Sequence, residues 1–84
     1  MSIKVDKTRK LSEFQSWDIW SSKPNHFDHD YTQEEHCYII EGEATIETDT
    51  QTLTVEPGDY VIFPKALKSH WIVHQFLRKH YSFQ

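Results

Sequence analysis

Apolar and polar positions alternate along most of this chain with a period of two. Ala44-Thr45-Ile46-Glu47-Thr48 and Thr52-Leu53-Thr54-Val55 each place apolar groups on one side and polar groups on the other, as half-buried strands do. Asp49-Thr50-Gln51 between them predicts a hairpin turn, although it lacks the glycine such turns favour. Pro57-Gly58-Asp59 predicts a second turn, since proline presets one backbone angle and glycine can take a positive one. Tyr60 to Phe63 reads as a strand stopped by Pro64. Lys68 to Val73 and Phe76 to Phe83 read as two further strands. Upstream, Ile3 to Val5 and Phe27 to Tyr31 are expected to be strands at an edge.

Only Leu11 to Trp20 breaks the rhythm. Leu11, Phe14, Trp17 and Trp20 recur at helical spacing, with Ser12 as an N-cap candidate and Glu13 in the first turn, so one short helical turn is expected there. Several short strands separated by turn residues define an all-β barrel or sandwich.

Composition narrows this further. Eighty-four residues read as one domain, 1–84, with a limited core. Cys37 is the only cysteine, which excludes an internal disulfide. Met1 to Lys7 carries charges every few residues and does not read as a secretion signal. No apolar run approaches the ~20 residues that cross a bilayer. A cytoplasmic protein without membrane partners is the expectation. The net charge of −4 argues against general nucleic-acid binding. Lys65, Lys68, Arg78 and Lys79 are read as ordinary solvated positions. Aromatic side chains make up 14% of the chain, enough to fill a small core or to line a ligand pocket. Edge strands of a barrel this small need cover, so a homodimer is expected.

Two segments carry the most specific information: Glu35-His36-Cys37-Tyr38-Ile39-Ile40-Glu41-Gly42 and Pro57-Gly58-Asp59-Tyr60-Val61-Ile62-Phe63-Pro64. Six residues separate Glu35 from Gly42, and five separate Gly58 from Pro64, with Ala66 where a second glycine would follow. This order and spacing resemble the two halves of the cupin signature. Trp20, Phe27, Tyr31, Phe63-Pro64-Lys65, Trp71 and Lys79-His80-Tyr81-Ser82-Phe83 extend the likeness over about three quarters of the sequence. They resemble the small cupins related to ureidoglycine aminohydrolase and to the ethanolamine-utilisation cupin. The resemblance implies an RmlC-like jelly roll, a double-stranded β-helix around a pocket.

It also implies positions for a metal. Cupins use three histidines and a carboxylate to hold Mn, Fe, Ni or Zn. Counting from Glu35 and Ala66, those positions fall on His29, Tyr31, Glu35 and Ser69, with Cys37 on the same strand parity as Glu35. Only His29 and Glu35 are good ligands, so no cofactor is expected; the alternative is one divalent metal on His29 and Glu35. His70 neighbours Ser69 but points to the other strand face. His26 is expected in a loop, and His36, His70 and His74 at the surface.

Three functions fit these residues. A small-molecule binding module would use a pocket of Phe27, Tyr31, Cys37, Phe63, Ser69 and Trp71, suited to a planar, aromatic or amide-bearing metabolite. An enzyme would use Glu35 as acid or base with His29 or Tyr31 as proton partner, and the resemblance to ureidoglycine aminohydrolase implies a metal-dependent or glutamate-assisted hydrolase or isomerase of a small molecule. A structural protein would fill the barrel with its own side chains. Cys37 reads as a small buried hydrophobe rather than a nucleophile.

Overall fold

The computed structural model describes residues 2–84. Two long strands organise it: β4 (Glu35–Glu47) and β7 (Lys68–Phe83) run antiparallel along nearly their whole length. β2 (Asp18–Ser22) and β3 (Asn25–Asp30) pair in turn with the other edge of β7, while β5 (Thr52–Val55) and β6 (Tyr60–Phe63) pair with the other edge of β4. β1 (Lys4–Asp6) adds to β6. The sheet bends round an apolar interior in which Cys37, Ile39, Ala44, Ile46, Val55, Val61, Phe63 and Leu77 are fully buried. This is the expected all-β jelly roll.

Local chemistry explains the turns. The glycine-free turn after β4 is held by Thr48, whose hydroxyl accepts from the Gln51 and Thr50 amides at 3.0 and 3.3 Å. In the Pro57–Asp59 turn, Gly58 takes φ +95°, and the buried Asp59 carboxylate accepts from the Glu56 amide at 3.0 Å and from Lys7 Nζ at 2.7 Å. Ala66 has φ +72°, a conformation that glycine adopts at lower cost. That is why a second glycine is at home at this place in the motif.

Three expectations need correction. The expected short helical turn is present as a 3₁₀ turn, Leu11–Glu13, but the helical spacing does not carry on to Trp20, because Asp18–Ser22 is a strand. The helical spacing of Phe14, Trp17 and Trp20 has another origin. Phe14 stacks on Tyr38 and Tyr60 on the outer face of β4 and β6, Trp17 meets Phe14 edge-on, and Trp20 turns into the barrel wall against Phe27. Second, Lys68 to Phe83 is one strand rather than two, because the irregular register opposite Glu41 to Ala44 disturbs the alternation without ending the pairing. Third, His26 lies in β3 rather than in a loop.

Strand parity then sorts the side chains. Glu35, Cys37 and Ile39 of β4 face inward, while His36 and Tyr38 face the outer aromatic layer. His36 is half-buried there, hydrogen-bonded to the Tyr60 hydroxyl and to Glu34. His70 pairs with Asp28 and His74 with Thr45 on the outside of β7. His80 is buried beneath the N-terminal segment and hydrogen-bonds the Trp17 carbonyl.

Candidate functional site

The inward residues of β2, β3, β4 and β7 surround a cavity of about 190 Å³, lined by Trp20, Phe27, His29, Tyr31, Glu35, Trp71, Lys79, Tyr81 and Phe83. Its walls are aromatic. Phe27 and Trp71 lie parallel with centroids 6.1 Å apart, and Tyr31 stacks on Phe63 at 4.7 Å. At its floor sits one charged pair: Lys79 Nζ is 2.8 Å from Glu35 Oε2, and the two side chains are only 8% and 5% exposed. The ammonium also lies 4.8 Å from the Trp71 ring centroid and 5.2 Å from that of Trp20, within cation–π range.

The sequence-predicted residues divide between lining and support. Phe27, His29, Tyr31, Glu35 and Trp71 all meet at the cavity. Cys37, Phe63 and Ser69, expected in the pocket, stand behind its wall instead. Phe63 is covered by Tyr31, and the Ser69 hydroxyl donates to the His29 carbonyl at 2.8 Å, which ties β7 to β3. Cys37 is fully enclosed, and burial pushes its thiol up to about 12, with the Lys79 charge opposing the shift only in part. Thiolate is the reactive form, so alkylation of Cys37 by iodoacetamide at pH 8 is expected to be negligible in the folded protein and complete in urea. Mass spectrometry reads both; rapid modification of the native chain would contradict this burial.

Four lining residues lay outside the predicted site: Trp20, Lys79, Tyr81 and Phe83. Lys79 was expected to be solvated, and burial against Glu35 and the indoles corrects that reading. The signal was parity. Ser69, Trp71, Val73, Leu77, Lys79 and Tyr81 are odd-numbered residues of one continuous strand and share its inward face.

The donor set does not fit a divalent transition metal. Tyr31 is a neutral phenol whose ionisation is pushed far up, first by burial and then by the Glu35 charge; its oxygen accepts from Trp71 Nε1 at 3.2 Å. Ser69 is committed to backbone. Glu35 already holds a cation, the Lys79 ammonium, where a metal would need its oxygens. Among the described residues no three His, Cys, Asp or Glu side chains converge on one point. His29 and Glu35 therefore share a pocket without making a metal centre.

A bent antiparallel jelly roll with its pocket at this end of β3, β4 and β7 defines a cupin barrel. A family model for the EutQ-like cupin domain matches residues 9–81, and the chain belongs to that family. It is similar over its whole length to a DUF861 family protein from Thermotoga maritima: 32% identity, 99% of this chain and 100% of that one covered, TM-score 0.89. It shares its fold with a putative ethanolamine utilization protein Q from Salmonella typhimurium, at 19% identity over 75% of this chain and 51% of that one, TM-score 0.69. The Clostridium difficile EutQ protein is similar at 22% identity over 94% of this chain and 64% of that one, TM-score 0.70. The chain thus spans between half and two thirds of those two proteins. No curated protein matches it. Among the described residues, no helix is long and apolar enough to cross a membrane.

Proposed function

We propose that this cupin binds a small planar metabolite in the barrel pocket, with an amide or similar group on the Glu35–Lys79 pair. The observation that carries the reading is a buried ion pair at the floor of an otherwise aromatic cavity. Such a pocket combines apolar walls with a few oriented polar groups, as ligand sites do. An ammonium has three N–H donors, and Glu35 Oε2 takes one of Lys79's. A carbonyl oxygen can accept from the ammonium while an N–H donates to the Glu35 carboxylate. A neutral ligand leaves the local charge balanced, which a lone anion or cation would not. A cavity of about 190 Å³ suits a small ligand.

Trp20 and Trp71 report on this directly. A panel of small amides, carboxylic acids and alcohols is expected to give saturable changes in tryptophan emission with the planar amides. Saturation with none of the panel would reject the binding reading. Turnover of a bound compound, abolished by Glu35→Gln, would place the protein among glutamate-assisted enzymes instead.

A homodimer in the cytoplasm completes the proposal. β2 lies at the end of the strand order, and its Ile19 is 55% exposed, which gives a second copy an edge to cover. Light scattering is expected to give twice the chain mass, and a monomer mass at working concentration rejects the dimer.

A further inference from the structure

Among the described residues, Lys79 is the one amine that is both enclosed and open to a cavity: it is 6% exposed, yet it lines the pocket. Its nitrogen contacts two indole faces and one carboxylate oxygen, and that carboxylate, Glu35, lines the same cavity. Lysine nucleophiles are amines desolvated among apolar groups, and Lys79 is enclosed by aromatic rings with Glu35 placed to take its proton. We propose that Lys79 forms a reversible imine with small aldehydes or ketones that enter the pocket, with Glu35 carrying the proton. The proposal rests on the reading of the pocket as a small-molecule site.

The steps balance within the site. Glu35 takes a proton from the Lys79 ammonium across 2.8 Å. The free amine attacks the carbonyl carbon, a C–N bond forms, and the nitrogen's proton passes to the carbonyl oxygen to give a carbinolamine. Glu35 returns its proton to the hydroxyl, the C–O bond breaks and water leaves. The product is a protonated imine beside a carboxylate, so one cation and one anion face each other before and after. This matters in a buried site, where a carboxylate left alone would be costly. Aromatic walls suit an aryl or unsaturated carbonyl compound, and no oxidant or metal is needed.

The test uses benzaldehyde at limiting concentration with cyanoborohydride, at neutral pH, on the whole untagged chain. Reduction of the imine leaves an adduct with the mass of the probe less one oxygen. Peptide mapping is expected to place it on Lys79, formed about tenfold faster than on exposed lysines such as Lys65. Lys79→Arg is expected to lose that adduct, with its melting temperature confirming that it is folded. Adducts confined to exposed lysines, with Lys79 unmodified, overturn the proposal. Benzamide, which keeps the ring but not the aldehyde, separates the two readings. Saturable quenching by benzamide without a Lys79 adduct overturns the imine and leaves the binding site standing. Neither quenching nor adduct overturns both.

Discussion

Replacing Lys79 by methionine is expected to destabilise the protein by about 3–5 kcal/mol, because it leaves the Glu35 carboxylate buried without a partner. Methionine keeps much of the stem volume, so the loss is electrostatic rather than a cavity effect. Glu35 sits between β6 and β7, paired across to Phe63 on one side and Phe83 on the other, and its side chain is buried. The double variant Lys79→Met with Glu35→Leu removes both charges and is expected to return to within about 2 kcal/mol of the parent, since apolar replacement of a whole buried pair is often neutral. Urea denaturation followed by tryptophan emission measures all three proteins. A Lys79→Met variant as stable as the parent would show that Glu35 does not depend on the ammonium.

The second large effect belongs to Gly42. It has φ +91°, and an added Cβ would lie 2.1 Å from the Phe76 carbonyl oxygen and 2.8 Å from Leu77 Cα. Both atoms are backbone of β7, which is held by β2 at Leu77 and by β4 at Arg78 and Gln75 on either side. Gly42→Ala therefore adds a steric clash to left-handed backbone strain, and a loss of about 4 kcal/mol or more is expected. Gly58 provides the control. Its φ is +95°, but nothing lies within 4 Å of the added Cβ, so Gly58→Ala is expected to cost only the backbone preference, about 1–2 kcal/mol. Equal losses in the two variants would mean that the close approach of β4 and β7 at Gly42 is not tight.

These two positions also show what could be read from the chain itself. The strands at Thr52–Val55 and Tyr60–Phe63 were legible because two-residue alternation and bounding turn residues agree there. Gly42 was legible as a motif residue, but its reason was not. The Phe76 carbonyl that demands a glycine is 34 positions away and is brought near only by the β4–β7 pairing. β2 was misread because Phe14, Trp17 and Trp20 mimic a helical face while serving two different layers, one outside the sheet and one inside. Lys79 was hidden by its residue type. A lysine is solvated by default, and only its place on the inward face of β7, between Leu77 and Tyr81, and the facing carboxylate on β4 turn it inward. Of the pocket, Phe27, His29, Tyr31, Glu35 and Trp71 were within reach of motif spacing. Trp20, Lys79, Tyr81 and Phe83 required the strand pairing.

The position of Lys79 decides the chemistry assigned to this barrel. Cupin signature positions and the strands that carry them are present, yet the cation beside Glu35 is supplied by the chain. On the proposed reading, the Lys79 ammonium beside Glu35 is the group that donates hydrogen bonds to a ligand in the pocket.

The most direct test of this account is the melting temperature of the untagged protein with two classes of ligand. A small planar amide such as benzamide is expected to raise it as concentration increases, since mass action stabilises the fold by about 2.7 kcal/mol at a hundredfold excess over Kd. Mn, Ni and Zn salts are expected to leave it unchanged. A rise with a stoichiometric divalent metal and none with the planar amides would contradict the account.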